Sequence, residues 1–198
     1  MAKHKLTNID GRKISVKKHI FTWSNLLSVS RLLITAPIIY LHMQNNYQVN
    51  TAITMLILYG IASDYLDGFV ARKRDEVSEL GKVLDPVADK LMAFFLFGYT
   101  VLIGWIPVWY FLVGVVRDLL IMAGSTYIKR IRGKVAMAVM SGKVSVFLMA
   151  VYWVAVFFFP EAGQVHFVLM VASLIMMVVS LINYVKRFNE IRKGAEFN

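Results

Sequence analysis

Six stretches of this chain are long and apolar enough to cross a lipid bilayer, and that leaves few ways to fold it. A membrane helix needs roughly 20 apolar residues (about 17–25) to cover the hydrocarbon core. Within that core every backbone N–H and C=O must be satisfied internally, which a helix does within its own segment. The stretches fall at Leu26–Met43, Thr51–Ala71, Leu84–Gly104, Pro107–Ile128, Val144–Phe159 and Val165–Val185. They predict an all-α integral membrane fold, a six-transmembrane-helix bundle. Composition agrees: 58% of the 198 residues are hydrophobic and only 17% are charged, against about a quarter charged in soluble domains.

The net charge of +10 could point to nucleic acid, but the positions of the charges argue for a membrane instead. Of 22 basic residues, six precede Lys18 or lie at it, four lie between Arg72 and Lys82, five between Lys129 and Lys143, and four from Lys186 to Lys193. The connections Gln44–Asn50, Gly104–Pro107 and Pro160–His166 hold no Lys or Arg. By the positive-inside rule both termini are expected in the cytoplasm, with anionic headgroups drawing the basic loops. No basic patch interleaved with aromatics marks a soluble surface, so no nucleic-acid partner is expected. Residues 1–24 read as a basic amphipathic cytoplasmic or interfacial segment, with Phe21 and Trp23 dipping inward, and residues 25–198 as one six-helix domain. The chain has no cysteine, which excludes disulfides and thiolate metal sites.

Against this apolar background stand four aspartates, in Asp64-x-x-Asp67-Gly68-x-x-Ala71-Arg72, then eight residues, then Gly81-x-x-x-Asp85-x-x-x-Asp89. An aspartate at mid-helix in a bilayer costs about 2.5–3.5 kcal/mol, so each needs an offset and is a functional candidate by default. At about 100° per residue, Asp64, Asp67, Gly68 and Ala71 share about a third of a helix circumference, with Arg72 at its edge. The two small residues let a flat ligand approach the backbone. The third span is expected to begin around Asp85-Pro86, since proline suits a first helical turn, with Asp89 one turn later on the same side. A short connection would fold the third span back beside the second and gather the carboxylates at one depth.

Taken alone, Asp64 and Asp67 could be a solvated pair where a helix meets the cytoplasm, and Asp85 a helix cap. The full spacing across two spans is better explained by a site. Four clustered carboxylates repel one another unless cations neutralise them. The ligands are all oxygen, which favours two Mg²⁺ or Mn²⁺ ions. Paired divalent ions are a recurring device for in-line displacement at phosphorus. The membrane setting implies an amphiphile whose pyrophosphate lies at headgroup level, with Arg72 on a phosphate oxygen.

These residues match, at every specified position, the signature of the CDP-alcohol phosphatidyltransferases, and Ser24-Asn25-Leu26-Leu27-Ser28-x-x-Arg31 is similar to the family's start of the first span. The resemblance implies that Asp64, Asp67 and Asp85 ligate the metals, with a share from Asp89. It implies that Asp64, Gly68, Ala71 and Arg72 receive the cytidine diphosphate group of CDP-diacylglycerol, with Asn25 on the donor side and Gly81 shaping the turn. Asp89 would be the general base on the acceptor hydroxyl, CMP would leave, and the protein would be a homodimer. The expected setting is a bacterial inner membrane, multi-pass, with the site facing the cytoplasm.

The acceptor is expected to carry a phosphate, because Arg117, Lys143 and Arg187 sit near the cytoplasmic ends of later spans. An ion pair of Arg117 with Asp118, and simple anchoring of the other two at the interface, are the structural alternatives. These elements resemble the phosphatidylglycerophosphate synthase and eukaryotic-type cardiolipin synthase branches, where many members have Thr at the position of Val146. Glycerol-3-phosphate is the first expectation for the acceptor and phosphatidylglycerol the second. A divalent-cation transporter is the rival from another class, but it predicts acids in the outer connections, which hold only Glu161.

Overall fold

The computed structural model describes the backbone of residues 23–74, 81–132 and 139–193, and the side chains of 29–63, 87–131 and 139–192. Six α-helices follow one another among the described residues: α1 (Trp23–Gln44), α2 (Thr51–Arg74), α3 (Gly81–Leu102), α4 (Val108–Arg132), α5 (Met140–Phe158) and α6 (Gly163–Lys193). Among the described residues there is no strand. Each helix falls on one of the six apolar stretches. The difference lies at α3, which starts at Gly81 rather than near Asp85. Pro86 therefore sits inside the helix, where it cannot donate to the carbonyl four residues back, and Asp85 lies beyond the first turn.

Three helical segments, Val108–Ile131, Met140–Phe158 and Gly163–Arg192, are long and apolar enough to cross a membrane, and Thr51–Ser63 is a shorter apolar helix. At 1.5 Å per residue α6 is about 46 Å long, while its apolar part, Val165–Val185, covers about 31 Å, close to one hydrocarbon core. The remainder, with Lys186, Arg187 and Arg192, extends beyond that core.

The chain resolves into two compact units, Met1–Tyr99 and Thr100–Asn198. In the first, α1 and α2 pack as an antiparallel pair. Their connection is a left-handed turn through Asn46 (φ 53°) and Tyr47 (φ 59°). It is closed by the Tyr47 N–H donating to the His42 carbonyl at 2.9 Å. Asn50 then caps α2, its Oδ1 accepting from the Ile53 N–H at 2.9 Å, which satisfies one of the orphan donors of a helix start. α1 and α3 run parallel. Two rungs fix the direction: Arg31 to Asp89 near one end, and His42 Nδ1 to the Tyr99 hydroxyl, 2.7 Å, near the other. The rungs are about 16 Å apart along α1 and about 15 Å along α3, so the two helices keep register.

In the second unit α6 packs against both α4 and α5. Tyr110 and Ser173 share a hydrogen bond of 2.8 Å, and seven residues further along both helices Arg117 donates to Ser180. Equal steps of seven mark a parallel seam of the coiled-coil kind. Glycines let the helices close on this unit's aromatics. A Cβ on Gly124 would stand 2.3 Å from the Phe188 ring, and one on Gly142 2.8 Å from the Tyr184 ring. α5 runs antiparallel to α6, with Asn183 Nδ2 donating to Ser141 Oγ at 3.0 Å. The turn between them is pinned by His166, whose Nε2–H donates to the carbonyls of Ala155 (3.2 Å) and Phe159 (3.0 Å). Each carbonyl also accepts a backbone N–H, from Phe159 and Ala162 respectively, at 3.0 Å, so the imidazole is a second donor at this helix end.

Candidate active site

The helix directions of the first unit bring the two halves of the aspartate motif to one end. Asp64, Asp67, Gly68, Ala71 and Arg72 lie in the C-terminal half of α2, and Gly81, Asp85 and Asp89 in the N-terminal half of α3. Ser30 of α1 is level with Tyr59 of α2, their hydroxyls 3.0 Å apart. Because α1 and α2 are antiparallel, one to two further turns carry Asp64 and Asp67 level with the first turns of α1. Arg31 is level with Asp89. Because α1 and α3 are parallel, Asp85 lies one turn nearer the same end. The four positions thus fall within a few turns of one another at the end where α1 begins.

Of the residues expected in the site, the side chains of Asn25, Asp64, Asp67, Gly68, Ala71, Arg72, Gly81 and Asp85 lie outside the described residues. Asp89 lies within them. Its Oδ1 accepts a charge-assisted bond of 2.8 Å from Arg31 Nη1. Arg31 is only 1% exposed, whereas the Asp89 side chain is 46% exposed. The carboxylate is thus held by a buried cation while its side chain stays partly exposed. Sequence reasoning placed Arg31 in the opening motif of the first span without a partner. The available signal was a guanidinium in an apolar stretch, which needs a counter-charge.

The basic residues expected near the acceptor are arranged differently from one another. Arg117 is buried and committed: Nε and Nη2 donate to Ser180 Oγ at 3.2 and 2.8 Å, and Nη1 to Asp118 at 2.6 Å. That is the ion pair foreseen as the alternative, with a serine of α6 added, a partner no sequence spacing signalled. Lys143 is exposed at the start of α5. Arg187 is half-buried on α6, with only a long contact of 3.8 Å to Glu190. The α5–α6 and α4–α6 registers put Lys143 and Arg187 at the same end of the second unit, together with exposed Lys129 and Arg130. The opposite end carries the connection with Glu161 and His166.

A family model, CDP-alcohol phosphatidyltransferase, matches residues 21–179. The chain belongs to this family. Among curated relatives, the CDP-diacylglycerol–glycerol-3-phosphate 3-phosphatidyltransferase of Aquifex aeolicus is 44% identical over 77 residues, 38% of this chain and 42% of that one. The cardiolipin synthase (CMP-forming) of Streptomyces coelicolor is 34% identical over 114 residues, 53% of this chain and 51% of that one. The human cardiolipin synthase (CMP-forming) is 31% identical over 116 residues, 58% of this chain and 38% of that one. The chain thus aligns with about half or less of the length of these relatives. The CDP-alcohol phosphatidyltransferase match, with three helices among the described residues long and apolar enough to span a bilayer, marks a membrane protein.

Proposed function

We propose that the protein transfers a phosphatidyl group from CDP-diacylglycerol to glycerol-3-phosphate, giving phosphatidylglycerophosphate and CMP. The observation that carries this reading is the intact signature, Asp64 to Asp89, within a chain that belongs to the family. The four aspartates of the signature would supply an all-oxygen donor set that suits hard divalent cations. Asp64, Asp67 and Asp85, with a share from Asp89, would hold two Mg²⁺ or Mn²⁺ ions, whose charge would offset that of the pyrophosphate and of the departing CMP.

The rest of the chemistry belongs to the side chains. Gly68 and Ala71, being small, would let the cytidine group approach the helix. Arg72 donates to a phosphate oxygen, and Asn25 and Gly81 border the donor. The Asp89 carboxylate takes the acceptor's hydroxyl proton as that oxygen bonds to the β-phosphorus. The bond from that phosphorus to the bridging oxygen breaks, and the electron pair leaves with CMP. Lys143 and Arg187 attract the acceptor's phosphate. Arg117, engaged by Ser180 and Asp118, holds α4 to α6.

The proposed architecture has six spans with both termini cytoplasmic, residues 1–24 on the interface and residues 25–198 as one domain. The enzyme is a homodimer among membrane lipids, with its site at the cytoplasmic face of a bacterial inner membrane. The test is CMP release from CDP-diacylglycerol by purified protein in mixed micelles. Acceleration by glycerol-3-phosphate supports the reading, and no release with any alcohol overturns it. A second reading, cardiolipin synthase using phosphatidylglycerol, draws on the longer matches to relatives of that name. Acceleration by phosphatidylglycerol alone would establish it.

A further inference from the structure

We propose that Arg31 is a positioning residue: from α1 it fixes the height and orientation of the Asp89 carboxylate against the other half of the aspartate motif. This deepens the phosphatidyl-transfer reading and rests on it. Three observations carry it. The first is burial. Arg31 is among the largest fully buried side chains, at 1% exposure, so it cannot reach interfacial water as long cationic side chains commonly do. A guanidinium kept there stays because its counter-charge is there. Asp89 supplies such a counter-charge, 2.8 Å away on another helix.

The second observation is the choice of partner. Lys90 stands next to Asp89 in the chain and is exposed, but consecutive residues on a helix point about 100° apart. A cation on α3 itself therefore lies on a different side, and the carboxylate is held from α1. The third is the company Arg31 keeps. Its neighbour Ser30 meets the Tyr59 hydroxyl of α2 at 3.0 Å. One turn further, Ile34 lies against Gly60 of α2, where a Cβ would come within 3.3 Å of Cδ1. Two consecutive residues of α1 thus touch the two helices that carry the motif. Ser30 reaches α2 five residues before Asp64, and Arg31 reaches α3 at Asp89 itself.

The consequence is mechanical. α1 ties the height of α3 at Asp89 to that of α2 at Tyr59. Displacing a reacting group by about 1 Å can lower a rate by about a hundredfold, so loss of the anchor should fall on turnover.

The experiment compares wild type, R31K and R31Q, measuring kcat and both KM values for CDP-diacylglycerol and glycerol-3-phosphate in mixed micelles. Melting temperatures of R31Q, D89N and R31Q/D89N are measured alongside. R31Q is expected to lose ten- to a hundredfold in kcat with the donor KM within threefold of wild type, and R31K to regain at least half of that loss on a logarithmic scale. The double variant should melt no lower than the less stable single variant. Three results would overturn the proposal. They are R31Q turnover within threefold of wild type, a loss confined to donor KM, and melting shifts that simply add. If R31Q cannot be purified, R31K must itself show the fall in kcat with donor KM unchanged. Should wild type release no CMP, the phosphatidyl-transfer reading fails instead, while the melting cycle still reports on the ion pair.

Discussion

Arg117 of α4 and Ser180 of α6 are locked together by two hydrogen bonds, 3.2 Å from Nε and 2.8 Å from Nη2. Both lie in apolar helices, and Ser180 Oγ in turn donates to the Met177 carbonyl at 2.9 Å. Ser180→Ala should therefore lower stability by about 1–2 kcal/mol, seen as an earlier melting transition in detergent. The KM for the acceptor should stay within twofold. A large rise in acceptor KM without loss of stability would instead assign Arg117 to the acceptor.

Lys143 and Arg187 give the opposite expectation. Lys143 is exposed, Arg187 is half-buried, and both lie at the basic end of their unit. Lys143→Gln and Arg187→Gln should each raise the glycerol-3-phosphate KM by about three- to tenfold, the loss of roughly one exposed charge contact. The KM for CDP-diacylglycerol and the melting temperature should hold. Steady-state kinetics with each substrate varied in turn distinguishes this from a general loss.

Glycine packing makes a sharper test of the second unit. Gly124→Ala would place a methyl 2.3 Å from the Phe188 ring, an overlap expected to cost about 1–3 kcal/mol. Phe188→Leu in the same chain should recover part of that cost. Gly98→Ala is the control, because nothing lies within 4 Å of its added Cβ. Thermal unfolding of wild type and the three variants in one detergent gives the comparison.

The six helices were legible in the sequence because bilayer thickness imposes a length on apolar runs, and the observed helices differ from the expected ones mainly at their ends. The start of α3 was misjudged because Pro86 suggested a helix entrance, whereas the helix begins at Gly81 and carries the proline inside. The spacing singles out the aspartates, and the helix directions put both halves of the motif at one end of the first unit. Arg31 could not be paired, since its partner is 58 positions away, and helix periodicity says nothing about neighbours across a bundle. The same holds for Ser180, an ordinary serine in an apolar helix until α6 lies beside α4. His42 and His166 serve contacts that their sequence positions do not reveal. The first bonds the Tyr99 hydroxyl and the second closes the end of α5.

Asp89→Asn keeps size and shape but removes the base. Turnover should fall by about 10²–10⁴-fold, the range for a lost general base, while CDP-diacylglycerol still binds. Equilibrium binding of the donor to the variant, set beside its CMP release, separates the two effects.

Release of CMP from CDP-diacylglycerol in vesicles, with glycerol-3-phosphate present, tests the central claim most directly when run before and after chelation of divalent cations. The account predicts release that stops on chelation and returns when Mg²⁺ or Mn²⁺ is restored. Undiminished release from protein thoroughly stripped of divalent ions would contradict it.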